Sequence, residues 1–346
     1  MSGMRDLPER VFKFIEDGVV SEFATVSKAG VPIDTPTYYF PSDDMATIDV
    51  ATGQSYPAKA ERARRNPKVG LLMEGGPDEP VVAMRGMAAV RDANLQGNAV
   101  RYISETGFKG IAFGLEWAEA RKAVWYWTRI IVEVMPERIM WWDNPAAMDG
   151  PPQVWNAPAG TVFPQSDPQP PGAISPASEW KQRTWQEIAA GALARGVAGH
   201  LTLIDDDGFP LSFRARSHEL VGDRFRLVMP KGLPWPGTGK GTLTFEGIET
   251  FVGEVTKEGD TTWLAVERAL PEHPLMKNPI EVLQPTPEIK GKLMARLEHE
   301  TKRRGQPIPT IPEELPAPTR MAKLRMARIA RGAPITGINE ARGNRG

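Results

Sequence analysis

Apolar and polar residues alternate over short stretches through the first part of the chain. Ser21–Ser27 (SEFATVS) reads as a strand closed by a Lys28-Ala29-Gly30 turn, and Asp34–Phe40, Met45–Ala51, Lys68–Glu74, Pro80–Asp92 and Thr128–Met135 read the same way. Helical spacing appears over Pro8–Glu16, Ala58–Arg65, Ala93–Thr106 and Glu116–Val124. Six short strands with small helices between them predict a closed antiparallel barrel, a mainly β fold.

The second half repeats this order in weaker form. A helical pattern at Trp180–Arg195 precedes the strand Gly199–Ile204, and the turn Asp205–Pro210 echoes Ser27–Pro32, each with glycine fourth and proline sixth. Leu211–Arg216 then echoes Ile33–Tyr39, Arg224–Met229 echoes Ala46–Val50, and Gly241–Gly247 echoes Val69–Gly75 with the same Glu-Gly ending. Thr250–Thr256 echoes the long strand around Met84–Val90. The expectation is two copies of one barrel, the second degenerate.

Proline marks the joints. Nine prolines between Asn144 and Ala177 describe an extended arm, and Pro307–Pro318 separates two helical patterns, Thr286–Arg304 and Thr319–Arg331. The expected organisation is a first barrel over 1–143, a Pro-rich linker over 144–177, a second barrel over 178–280 and a basic helical extension over 281–346.

Charge sharpens that division. The 346 residues carry a net charge of −1, yet residues 286–346 hold 13 Lys+Arg against 6 Asp+Glu. A basic tail follows an acidic body and is expected to fold back onto a barrel or a sister subunit. The near-neutral whole argues against a protein that coats nucleic acid, and no aromatic residue interleaves with the charges of 319–331. With no cysteine there is neither disulfide nor thiolate chemistry, and the four histidines show no metal spacing. No apolar run is long enough to span a bilayer, and the start MSGMRDLPERVFKF lacks a signal-peptide core, so a cytoplasmic protein is expected.

The most specific constellation lies in residues 22–74: a Thr-Val strand, a Gly-Val-Pro turn, Thr-Pro-Thr-Tyr-Tyr-Phe, Ala-Thr-Gly, then Lys59-Ala60 and Arg64-Arg65-Asn66-Pro67-Lys68-Val69. With Arg129–Ile139 as a closing strand, this order resembles the pyridoxamine 5′-phosphate oxidase-like split-barrel flavoproteins over residues 8–142. The resemblance implies two tandem split β-barrels with a helical C-terminal tail. It implies an oxidoreductase that uses FMN, or the deazaflavin F420, to exchange hydride with a small planar organic substrate. Carried over residue by residue, Thr52, Ser55 and Lys59 would hold the phosphate, with Arg62 one turn on from Lys59, and Pro36, Thr37 and Tyr38 would lie along the flavin ring. Tyr38 and Tyr39 are the nearest candidate proton donors, and no catalytic acid or base is assigned. Family members usually form dimers with the flavin at the interface, so a homodimer is expected unless the second barrel replaces the partner. A non-catalytic flavin- or haem-binding protein is the alternative.

The departures are also specific. Thr35 stands where the vitamin B6 oxidases carry a phosphate-gripping arginine, Val81 where they carry a glutamine, and Pro57 where serine is common. Their C-terminal substrate-binding arginine motif is not evident after Trp141-Trp142, which argues against vitamin B6 oxidation. The second repeat has a Pro/Gly loop, Pro230–Gly239, in place of the lysine helix, and so is expected to hold no flavin. Pro236–Thr242 (PGTGKGT) looks like a phosphate loop but is followed by a strand pattern rather than a helix. Trp125, Trp127, Trp141 and Trp142 read as core packing or as an aromatic wall beside the cofactor.

Overall fold

A computed structural model describes residues 3–106, 115–175, 183–271 and 283–331. The first unit opens with helix α1 (Glu9–Asp17) and strands β1 (Val20–Val26), β2 (Pro32–Pro41) and β3 (Ile48–Gly53). Helix α2 (Ala58–Arg65) then leads to β4 (Lys68–Met73) and β5 (Val81–Arg91). Three helices, α3 (Leu95–Thr106), α4 (Trp117–Ala120) and α5 (Val124–Trp127), precede β6 (Arg129–Trp142). Where the sequence pattern predicts one helix at Glu116–Val124, the chain turns between two short ones. β6 runs well beyond the predicted Met135, and its far end pairs with β7 (Gln153–Asn156), a strand inside the Pro-rich arm.

The first sheet runs β2-β1-β4-β5-β6-β3 and closes when β3 also pairs with β2, giving the predicted six-stranded barrel. One side chain of each alternating pair fills the barrel: Phe23, Val50, Val69, Leu71, Met84, Val132 and Val134 share one core cluster.

The second unit has helix α6 (Trp185–Ala194) and strands β8 (Gly199–Ile204), β9 (Pro210–Arg214), β10 (Ser217–Val221), β11 (Arg224–Val228), β12 (Gly239–Phe245), β13 (Glu249–Glu258) and β14 (Thr261–Ala269). Its order, β9-β8-β12-β13-β14-β11-β10, is the same circuit with β2 broken into β9 and β10. The register matches as well. Val20↔Tyr38 ends the β1–β2 ladder and Tyr39↔Val50 opens the next, while Ser217↔Val228 holds the corresponding place 178 positions on. The predicted turn repeats too. Gly30 and Gly208 have φ of +74° and +85°, a conformation glycine adopts without a Cβ penalty, and Ser27 and Asp205 donate their N–H groups to Val31 O and Phe209 O at 2.8 Å. The copy is degenerate as expected: it is a curled open sheet, Pro230–Gly239 forms no helix, and β13 and β14 join by a tight turn where the first barrel inserts α3–α5. The PGTGKGT segment leads into β12 with no following helix.

The two units pack β1, β2 and β4 against β8, β9 and β12. This explains why β1 is buried at every position although its sequence alternates: one face looks into its own barrel and the other onto the second sheet. Leu72, Val81, Ala83, Met140 and Trp142 form an apolar patch there with Leu211 and Phe213.

The C-terminal extension wraps the first barrel. Helix α7 (Pro287–Arg303) covers the aromatic layer over β2 and β3, and its Arg303 donates to Pro171 O of the arm at 3.1 Å. Helix α8 (Arg320–Ala330) docks on α1 and α3 through Arg320–Glu16, Arg325–Glu105 and Arg328–Asp17 pairs, and on the β4–β5 turn through Arg328–Glu79. The expected return of the basic tail is thus onto the chain's own barrel. Among the described residues no helix is long and apolar enough to cross a membrane.

Candidate functional site

Helix α2 carries the site. Ala60 and Ala63 are 1% and 0% exposed, so their small side chains let the helix sit close on the end of the first barrel. The remaining residues split by side. Glu61 and Arg64 join a buried ion network with Asp92, Glu300, Arg303 and Arg304. Lys59 and Arg62 have no carboxylate in ion-pair contact among the described residues. Arg62 Nε donates to Thr25 Oγ1 at 2.8 Å. Burial, and then the charge of Arg62, push the Lys59 ammonium down to about 7, against the weaker pull of Glu22 and Asp34. Burial, and then Arg65, push Arg62 down to about 10. Pro57 precedes the helix, and no side chain caps its first turn. Lys59 in the first turn of a helix that no side chain caps, with Arg62 one turn on, is a candidate anion-binding donor set.

The expected hydroxyl ligands are otherwise engaged. Thr52 donates to Tyr56 O at 3.2 Å, Thr37 to Ala51 O at 3.4 Å, and Ser55 to Leu293 O at 3.1 Å beneath α7. Of the seven expected cofactor residues, Lys59 and Arg62 therefore present the charged donors. Pro36 and Tyr38 are half-buried along β2. Pro36 abuts the Gly247 turn of the second sheet. Tyr39 points elsewhere than a substrate: its hydroxyl donates to Ile15 O at 3.1 Å, and burial pushes its ionisation well above the ordinary range.

Two residues went unassigned in the sequence. Gln54 is fully buried, and among the described residues neither polar atom of its side-chain amide has a hydrogen-bond partner. Arg129 opens β6 opposite Gly53 and lies over the rings of Tyr102 and Tyr126, 4.3 and 4.4 Å from their centroids, with its Nε buried and unpartnered. Its charge is among those that depress Lys59. The available signal was an arginine at the mouth of the loop that carries Thr52–Ser55, but in sequence it reads only as the start of a strand.

A second polar cluster lies between the two sheets. His200 Nε2 is 2.8 Å from Glu74 Oε2, and Arg214 Nε is 3.3 Å from the same oxygen. Thr244 donates to Asp34 Oδ1 at 2.7 Å. Burial pushes Glu22 up to about 7 and also raises Asp34. For His200 burial works downward, but Glu22 and Glu74 outweigh it and raise the imidazole. His299 meets Ala173 O at 3.0 Å and His218 stacks on Phe245, so each described histidine has a packing or hydrogen-bonding role. His273 lies outside the described residues.

No protein-family model matches the chain, and no curated protein matches it. Solved structures similar to it include a putative pyridoxamine 5′-phosphate oxidase of Listeria innocua, an FMN-binding protein and an F420 reductase, each covering about two-fifths of the chain. The general stress protein 26 of Bacillus anthracis is 17% identical, with 43% of this chain and 97% of that one covered at a TM-score of 0.30. A pyridoxamine 5′-phosphate oxidase-related, FMN-binding protein of Nostoc punctiforme is 13% identical, with 38% and 80% covered at a TM-score of 0.29. An F420 reductase is 16% identical, with 38% and 98% covered at a TM-score of 0.29.

Proposed function

We propose that the first barrel binds a phosphate-bearing flavin, FMN or the deazaflavin F420, and serves an oxidoreductase acting by hydride transfer on a small planar organic substrate. The observation that carries this reading is the pair Lys59 and Arg62, one turn apart on α2, each pushed down by burial and neither in ion-pair contact with a carboxylate among the described residues. A phosphate is the complement such a pair lacks. Lys59, Arg62 and the first-turn amides of α2 would hold it. The flat ring would lie along Pro36–Tyr38, and Tyr38 is the hydroxyl nearest to a reacting substrate. When bound, the flavin supplies the hydride chemistry, and the chain supplies position and shielding from water.

The departures from the vitamin B6 oxidases have a structural counterpart. Val81, at the glutamine position, lies in the apolar patch against Leu211 and Phe213, and Thr35 faces the Gly247 turn. The second sheet takes the place of a partner subunit on this face, so a homodimer would use a different surface. For F420, the anionic tail would fall to Arg62 and Arg65. The cations Arg320, Arg325 and Arg328 of α8 are already paired with acids and are not available to it.

The test is direct titration of the purified protein with FMN and with F420, followed by absorbance and by quenching of cofactor fluorescence. Binding of one of them, weakened at least tenfold by Lys59→Ala, supports the reading. A protein that binds neither removes it, and a haem Soret band would point to the non-catalytic alternative.

A further inference from the structure

Arg129 takes no part in the phosphate grip proposed above, yet it is held as a recognition residue is held. Its guanidinium sits in the corner between Tyr102 and Tyr126, whose ring centroids are 6.1 Å apart. The two tyrosines are themselves fixed. Their hydroxyls lie 3.3 Å apart, and both rings pack on Trp127, which is fully buried. This corner buries the Nε edge and leaves the terminal nitrogens as the open end of the fork. Gly53 stands opposite on β3 and adds no side chain beside the guanidinium. Among the described residues Arg129 makes no ion pair, in contrast to Arg64, Arg85, Arg91, Arg303 and Arg304, which all do.

Arg129 pairs with Gly53 at the end of β3, near enough for its charge to depress Lys59, but among the described residues no hydrogen bond ties it to α2. Arg62 is tied to Thr25, which pairs with Ile33 near the start of β2. Tyr126, which holds Arg129, packs in one cluster with Tyr38 toward the other end of that strand. The strip Pro36–Tyr38 lies between the two. A planar fork fixed by aromatic rings matches a planar anion, because guanidinium and carboxylate meet edge to edge through two parallel hydrogen bonds.

We propose that Arg129 is a substrate-binding residue and that the substrate is a planar organic carboxylate, its carboxylate on the open end of the Arg129 fork and its flat face against Tyr126 and Tyr38. This rests on the cofactor reading only for the word substrate; the carboxylate site itself is testable without any cofactor.

The experiment titrates the full chain, with and without FMN, against benzoate and 2-naphthoate and against their neutral alcohol analogues, by calorimetry and tryptophan fluorescence. The wild-type protein is expected to bind a carboxylate at least tenfold tighter than its alcohol. Arg129→Lys, which keeps the charge but loses the fork, and Arg129→Gln should each lose about tenfold or more of that preference while leaving affinity for FMN and inorganic phosphate within about twofold. Lys59→Ala should show the opposite pattern. Carboxylate binding that survives Arg129→Lys unchanged, or a wild-type protein that binds no carboxylate probe, overturns the proposal. So does an Arg129→Lys loss of phosphate and FMN affinity equal to that of Lys59→Ala, which would put Arg129 in the phosphate grip. A carboxylate preference in a protein that takes up neither FMN nor F420 sustains the site and removes the cofactor reading instead.

Discussion

His200 and Glu22 hold the same position in the two repeats, 178 residues apart, and face each other across the interface with Nδ1 3.7 Å from Oε1. In two identical barrels this place would hold two identical side chains. Here divergence has produced an acid and a base, so the contact is specific to joining one half to the other.

That contact gives the interface a pH dependence. Glu22 is pushed up to about 7, chiefly by burial, and His200 is raised because Glu22 and Glu74 outweigh its burial. Both groups hold protons in the folded chain that they would release when unfolded. Stability from Glu22 is therefore full below its ordinary value of 4.5 and is lost as pH rises to about 7, while that from His200 is full below 6.5 and is lost above it. Asp34, also raised by burial, acts in the same direction, and Glu74, lowered because His200 and Arg214 overcome its burial, acts in the opposite one at lower pH. The midpoint of thermal unfolding should fall between about pH 6 and pH 8. Glu22→Gln, a mimic of the protonated carboxyl, should flatten that slope. An unchanged slope in Glu22→Gln would show that the pair does not set it.

The interface also depends on close backbone approach. A Cβ on Gly70 of β4 would lie 1.9 Å from Pro210 O of β9. Nothing at that distance is a flexible side-chain end, so Gly70→Ala must separate the two sheets. A loss of about 1–3 kcal/mol or more is expected from the overpacking, read as a lowered midpoint in thermal or denaturant unfolding. A variant as stable as the wild type would mean that the sheets are not docked in this register.

Arg304 joins three parts of the chain. It is 2% exposed on its side chain and pairs with Asp92 at 2.8 Å, Glu300 at 2.7 Å and Glu61 of α2 at 3.3 Å. Arg304→Met leaves those acids with fewer partners in a buried place, and a cost of about 3–5 kcal/mol is expected for breaking such a network from one side. Because α7 is then held less firmly against α2, limited proteolysis should cut near residues 283–303 sooner than in the wild type. Equal stability and equal protease resistance would remove this network from the account of how α2 is positioned.

Much of the fold was legible because its signals are local. Gly30 and Gly208 mark one turn in both repeats, alternating side chains mark the strands, and Asn66-Pro67 ends α2 where it should. What was not legible depends on partners distant in sequence. β1 is buried on both faces by a sheet some 180 residues away, so Glu22 reads as a surface acid until His200 is beside it. The charges of Arg303 and Arg304 look like a solvated helix face, yet they lie buried against α2. In the candidate site, motif order named Lys59 and Arg62, which the fold sets one turn apart on α2. The use of Ser55 by Leu293 O did not follow from it, because no local pattern says which face α7 will cover. Arg129 was invisible for the same reason: its meaning comes from Tyr102 and Tyr126, brought to it by helices inserted before the strand it opens.

Lys59 supplies a prediction at the anion site itself. Burial and the neighbouring Arg62 leave it with a pKa of about 7 when no anion is present. A phosphate favours the charged form, so binding must protonate Lys59 wherever it is neutral. Below pH 7 the proton is already in place and affinity should be nearly constant. Above pH 7 each further unit should weaken binding of FMN or inorganic phosphate by up to about tenfold, down to the affinity that Arg62 alone provides. Calorimetric titrations at pH 6.5, 7.5 and 8.5 read this directly, and at pH 8.5 they should show close to one proton taken up per phosphate bound. Lys59→Arg keeps its charge through the whole range and should flatten the profile. A wild-type profile that is already flat, with no proton uptake, would mean that the anion sits away from Lys59, and the phosphate grip would then have to be rebuilt on other residues.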